Sequence, residues 1–216
     1  MGKKVNQYYL GMDEVNEIIA AAKNIKESVV LKLLARTGMR RFELANLKVR
    51  DVDFERKRVF ISRGKGGNDN DPKSRTVPID TDTLQTIKFY LESRKTGFLV
   101  QSNKKSSEGI SLSQINRIVA NCAKRTGISN PNPKLQHMNP HIFRHSFIRA
   151  SLSKGISFNI IQEIAGHTDA RTTLQMYGKP SINDIQKQYE ERLVEDFIAK
   201  PKEKPNAKLS KFTDEK

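Results

Sequence analysis

Large apolar side chains recur at helical spacing in segment after segment of this chain, and glycine closes four of those segments. Val15, Ile18, Ile19 and Ala22 follow Asp13, a candidate N-cap. Val29, Val30, Leu33 and Leu34 form a second helical run that stops at Gly38, and a short helix is expected over 41–47. Thr81 or Asp82 should start a helix ending near Arg94. Ser111 caps a helix with Ile115, Ile118, Val119 and Cys122 on one face, ending at Gly127. Pro140 suits the first turn of a helix reaching about Ser153, closed by Gly155. Ser157 caps the stretch 158–165, which Gly166 stops; Asp169 caps a short helix leading to Tyr177, and Ser181 starts a last one through Ile198. Strict alternation is confined to Val59 and Ile61, then Val77 and Ile79, with Gly, Asn and Asp concentrated in 64–72 between them. That reads as a hairpin. Residues 129–139 are rich in Pro and Asn and read as a loop. The pattern predicts a mainly α chain with a small antiparallel β-sheet, an α+β fold.

Charge narrows the partners. The 216 residues carry a net charge of +15 with a pI near 9.9. Such a surplus points to a polyanion, most commonly nucleic acid, although a lysine-rich surface of a thermophile's protein would look similar. The single cysteine, Cys122, excludes an internal disulfide and a cysteine-based zinc site, and its helical context reads as a core thiol. No apolar run approaches the ~20 residues of a membrane span, and the polar start is unlike a secretory signal. The expectation is a cytoplasmic protein. Residues 1–10 read as a short basic lead-in, and the Lys- and Pro-rich stretch from Lys200 onward reads as a disordered tail.

Six residues on short, motif-like segments suggest a chemistry: Arg40, Lys65, His141, Arg144, His167 and Tyr177. Cutting a phosphodiester with a side chain needs a nucleophile, cations around the non-bridging oxygens and a proton for the leaving oxygen. Arginine suits the clamp because its planar fork holds two oxygens and stays charged. Arg40 lies just past Gly38 at a helix start, where backbone N–H groups also favour an anion. Glu43, one turn on, is placed to orient it; Arg41 is a rival. His141 and Arg144, three apart at a helix N-terminus, share a face, with His145 and Arg149 as rivals. His137 lies in the loop outside any motif. His167 follows Gly166 and could equally be a capping histidine. A phenol has a pKa near ~10, so Tyr177 needs a proton acceptor and a cationic site to attack. Tyr8, Tyr9, Tyr90 and Tyr189 have no phosphate-binding context. No carboxylates and histidines cluster at metal-ligand spacing, so neither metal nor other cofactor is expected.

Taken together these segments resemble the catalytic domain of the tyrosine recombinase (phage integrase) family over roughly residues 8–190. Thr37-Gly38-Met39-Arg40-Arg41-Phe42-Glu43-Leu44 is similar to the family's Thr-Gly-Leu-Arg-x-x-Glu-Leu, which selects Arg40 over Arg41. His141-Ile142-Phe143-Arg144-His145 matches His-x-x-Arg-His, making His141 and Arg144 the functional members and His145 a supporting or packing residue. Gly166-His167-Thr168-Asp169-x-x-Thr172-Thr173 resembles Gly-His-Ser-x-x-x-Thr-Thr. Ten positions separate His167 from Tyr177, where nine is the commoner family spacing. Gly64-Lys65-Gly66 and, after a loop about five residues longer than the family's, Lys73-Ser74-Arg75-Thr76-Val77-Pro78 resemble Gly-Lys-Gly-x-Lys-x-Arg-x-Val-Pro. Lys65 is favoured over Lys73 as the proton donor.

The resemblance implies the tyrosine recombinase catalytic-domain fold and site-specific DNA recombination or integration through a 3′-phosphotyrosyl intermediate, without metal or ATP. Tyr177 would be the nucleophile. Arg40, Arg144 and His167 would hold the phosphate, His141 the tyrosine's proton, and Lys65 the leaving group. The implied partner is double-stranded DNA, bound by a homo-oligomer (dimer or tetramer), with no membrane. A type IB topoisomerase-like relaxase and a catalytically silent DNA-binding accessory protein are the alternatives. In domain terms, residues 1–198 would be the catalytic domain, without the helical core-binding domain that usually precedes it, and 199–216 a basic tail. The helix after the tyrosine would pack on its own domain or on a neighbouring protomer.

Overall fold

A computed structural model describes residues 8–62, 74–105 and 107–166, all within the unit Met1–Lys179. The elements run α1 (Met12–Ala20), α2 (Ile25–Thr37), α3 (Arg41–Asn46), a 3-10 turn (Val49–Asp51), β1 (Val52–Asp53), β2 (Arg58–Ile61), β3 (Arg75–Pro78), α4 (Thr81–Leu91), α5 (Leu112–Thr126), α6 (Pro140–Ser153) and α7 (Phe158–Ala165). The α+β expectation therefore holds.

α2 is the hub. Val29, Val30, Leu31, Leu33 and Leu34 are all fully buried, so the helix is covered on more than one face, as an apolar helix must be. It packs against α4 and α6, and also against α1, α3 and α5. Local chemistry fixes its ends. Asn24 accepts from the Glu27 N–H at 2.9 Å at its start. At its end Gly38 takes φ +63°, a left-handed conformation that glycine adopts without strain. α5 opens on a reciprocal capping box between Ser111 and Gln114, at 3.2 and 3.0 Å. Its buried face of Ile115, Val119, Cys122 and Ala123 joins the core. Asn139 caps α6 by accepting from the His141 N–H at 3.0 Å, with Pro140 in the first turn.

The sheet is antiparallel in the order β1-β2-β3. Val59 pairs with Val77 and Ile61 with Arg75. Alternation turns Val59 and Ile61, then Arg75 and Val77, inward, leaving Phe60 and Thr76 outward. The short strand β1 was not legible in the periodicity because two residues carry no alternation.

Several boundaries differ from the sequence reading. Asp13 is not the cap of α1: Gly11 is, because Glu14 reaches back to accept the Gly11 N–H at 2.8 Å, leaving Asp13 in the first turn where the helix dipole favours it. α4 does start at Thr81, with Asp80 before it as the cap, accepting the Thr83 N–H at 2.9 Å. That helix stops at Leu91 rather than Arg94, since Glu92 turns to φ +51° and the Arg94 side chain donates to the carbonyls of Phe98 and Leu99. Ile79 lies just beyond β3, although it is buried and its N–H is bonded to Lys57 at 2.9 Å. Ser157 precedes α7 without a side-chain cap bond. The basic lead-in before residue 8, the hairpin loop 64–72, the helices expected after Asp169 and Ser181, and the tail lie outside the described residues.

Candidate active site

Three separate parts of the chain converge beside the end of α7. The first is the α2–α3 junction. Once Gly38 has ended α2, Met39 plugs into the core and Arg40 becomes the residue preceding α3. The Arg40 N–H donates to Glu43 Oε2 at 2.7 Å, and its guanidinium lies 3.4 Å from Glu43 Oε1. The second is α6, which carries His141 and Arg144 one turn apart. Arg144 is buried and donates to the Gly38 carbonyl at 2.5 Å and to the Ala165 carbonyl at 2.7 Å. The third is β3, through Arg75.

The last carbonyls of a helix have no partner within it and carry the negative end of its dipole. Here three successive ones accept from three different arginines. Arg75 Nε donates to the Ile164 carbonyl at 2.8 Å, Arg144 to that of Ala165, and Arg40 lies at 3.4 and 3.5 Å from that of Gly166. The arginines differ in exposure. The Arg75 side chain is 2% exposed, whereas that of Arg40 is 31% exposed. Arg40 thus holds long, replaceable contacts and faces solvent. An oxyanion would offer it shorter, charge-assisted bonds.

Electrostatics follow from this crowding of cations. Burial raises the Glu43 pKa, but hydrogen bonds from Arg75, its charge and the contacts with Arg40 outweigh that and hold the carboxyl below its ordinary range. His141 keeps a solvent-facing side, yet partial desolvation and the charges of Arg41, Arg144 and Arg40 push its pKa down. It is therefore neutral at neutral pH and able to accept a proton. His145 is also lowered, by burial and then by His141 and Arg144.

The structure brings together Arg40, Glu43, His141 and Arg144. Arg41 turns away to donate to Asn116 on α5 at 3.1 Å. Lys65, Lys73, His167 and Tyr177 lie outside the described residues, although His167 directly follows Gly166 in the chain. The reading missed Arg75, which grips Glu43 with both Nη atoms, at 2.7 and 2.9 Å. A signal existed, because alternation in β3 puts Arg75 on the same inward face as Val77. Among the described residues, no three His, Cys, Asp or Glu side chains group as metal ligands. No helix there is long and apolar enough to cross a membrane.

The chain is similar in sequence and fold to known proteins. The chain is 32% identical over 190 residues to the tyrosine recombinase XerA of Pyrococcus horikoshii, covering 86% of this chain and 62% of that protein. It superposes on a crystal structure of XerA recombinase with a TM-score of 0.69 at 27% identity, covering 86% of this chain and 65% of that one. The Tn1549 transposon integrase in complex with transposon right end DNA shares the fold, with a TM-score of 0.65 at 19% identity, over 89% of this chain and 67% of that one. The chain thus spans a little over six-tenths of the length of the XerA relatives. Residues 9–183 match the model of the phage integrase family, and the chain belongs to that family.

Proposed function

We propose that the chain is a site-specific DNA recombinase, acting in the cytoplasm as a homo-oligomer assembled on double-stranded DNA. The observation that carries this reading is that Arg40 and Arg144 meet beside the end of α7 with His141 close to both, and that the partly exposed Arg40 guanidinium is only loosely held. The net charge of +15 suits a DNA partner, as do the names of the relatives.

In this mechanism Tyr177 Oη attacks the scissile phosphorus. Its proton passes to His141, which is neutral and can take it. Arg40 and Arg144 offset the charge on the non-bridging oxygens, where losing one such donor typically costs ~10²–10³ in rate. His167 adds a hydrogen bond. The P–O5′ bond breaks as Lys65 gives its proton to the departing 5′-oxygen, leaving a 3′-phosphotyrosyl link. The 5′-hydroxyl of the partner strand then attacks that link and gives its proton to Lys65, the P–Oη bond breaks as His141 returns the proton to tyrosine, and the number of phosphodiesters is unchanged. No ATP is needed.

Strand exchange tests this directly. Two linear duplexes of different length, both bearing the sequence flanking the chain's own gene, are incubated with the protein. Recombinant lengths that vanish with Tyr177→Phe support the proposal. Relaxation of supercoiled plasmid without exchange would replace it with a topoisomerase-like activity, and binding with neither product would make the chain an accessory protein.

A further inference from the structure

We propose that Arg75 is a positioning residue for this reaction: it locks Glu43, and through Glu43 the backbone of Arg40, to the carbonyl end of α7, from which the chain runs directly into His167. This rests on the strand-transfer reading of the site.

The geometry leaves Arg75 little else to do. Nη1 and Nη2 are spent on the two oxygens of Glu43, at 2.7 and 2.9 Å, and Nε on the Ile164 carbonyl at 2.8 Å. With its side chain 2% exposed, it cannot reach a substrate phosphate. It is therefore not a third clamp. A contribution to stability alone is a weak explanation, since a buried ion pair is often no better than an apolar pair of the same volume. What an apolar pair could not supply is direction. One planar guanidinium fixes the orientation of the Glu43 carboxylate, and Glu43 holds the Arg40 N–H at 2.7 Å and faces its guanidinium. The same group fixes the height of α7 against β3 through a single carbonyl.

Arg75 also begins the strand that follows the Gly-Lys-Gly loop in sequence. The α2–α3 junction and the end of α7 are thereby tied to one side chain. Lysine cannot substitute, because a point charge has neither the fork nor the third donor in the same plane.

The test uses the full chain with Arg75→Lys, Arg75→Ala and wild type. The probe is a nicked duplex carrying the sequence flanking the gene. The two readouts are DNA affinity and single-turnover covalent adduct formation, alongside amide hydrogen exchange. The Gly166 N–H, bonded to the Gln162 carbonyl at 2.8 Å, reports on the α7 end. Both variants should bind DNA within about threefold of wild type yet form adduct about 10²-fold more slowly, the scale of loss that a displacement near 1 Å can produce. Exchange at 164–166 should quicken at least about tenfold while α2 stays protected, as expected for local opening. Millimolar guanidinium, but not sodium chloride, should restore part of the Arg75→Ala rate. If Arg75→Ala does not fold, Arg75→Lys decides alone.

Wild-type adduct rate with unchanged exchange in Arg75→Lys would overturn the proposal. So would loss of DNA affinity in proportion to rate. A wild-type chain that forms no adduct would sink the recombinase reading instead, and exchange at 164–166 would still judge the hold of Arg75 on α7.

Discussion

Gly38 offers a sharp test of how the site is built, because two effects act there and only one acts at Gly127. Both glycines end a helix in the left-handed region, at φ +63° and +75°. Placing any other residue there costs about 1–2 kcal/mol. A Cβ at Gly127 would meet no atom within 4 Å, whereas one at Gly38 would lie 2.6 Å from Phe147 Cδ1 and 3.1 Å from Cε1. Phe147 packs on the small cluster of Ile148, Ile161 and Ala165, so its ring cannot swing away freely. Overpacking of that kind adds about 1–3 kcal/mol. Gly127→Ala should therefore cost about 1–2 kcal/mol and Gly38→Ala about 2–5 kcal/mol, before a shared small gain from stiffening the unfolded chain. Urea unfolding of both variants measures the difference, with unchanged m-values as the check on two-state behaviour. Replacing Phe147 by leucine in the Gly38→Ala background should recover the excess but not the backbone cost. Equal losses at the two glycines would refute the reasoning, since the contact with Phe147 would then carry no energy. Gly38→Ala should also slow DNA cleavage more than its stability loss explains, because the Gly38 carbonyl holds Arg144.

Other outcomes follow from the same geometry. Glu43→Ala, which leaves the buried Arg75 without its counter-charge, should destabilise by about 3–5 kcal/mol in urea titrations; a loss under about 1 kcal/mol would mean water or another group compensates. Stability should fall on acidification. His141 and His145 have lowered folded-state pKa values, so the unfolded chain binds more protons below the ordinary histidine value near ~6.5. Their contribution is complete above that pH and is lost as pH drops through the folded pKa values; His141→Gln and His145→Gln should each flatten the slope. Cys122, whose thiol burial and then Glu27 push up to about 11, should resist iodoacetamide in the native protein at pH 8 and react at once in urea. Prompt native labelling would contradict its burial in the core.

The helices were legible because their ends are written locally: Asn-Pro before α6, Ser-x-x-Gln at α5, glycine after α2, α5 and α7. Capping chemistry acts over three or four residues, and so does the reading of it. Candidate site residues on helices were legible for a similar reason, as His141 and Arg144 stand one turn apart whatever the tertiary fold. What escaped was nonlocal. The bond between Arg75 and Glu43 joins residues 32 apart, and no periodicity encodes it. An arginine at an inward strand position is an exception to alternation, visible only when the strand's own pattern is trusted over the residue's usual preference for solvent. The Gly11 cap escaped because glycine has no capping side chain, and the bond there is its own N–H donated to Glu14. That Arg40 is partly exposed while Arg144 is buried, though both fit the motif, depends on where α7 ends and could not be read from either segment alone.

The central claim is that Tyr177 becomes covalently joined to DNA. The direct measurement is to trap the chain on a nicked suicide duplex carrying the sequence flanking its gene, digest the adduct, and locate the nucleotide-bearing peptide by mass spectrometry. The account predicts one modified peptide, with a 3′-phosphate on Tyr177, absent in Tyr177→Phe and strongly reduced in Arg40→Ala. A nucleotide on Tyr189 or any other residue, or an adduct that persists in Tyr177→Phe, would contradict it.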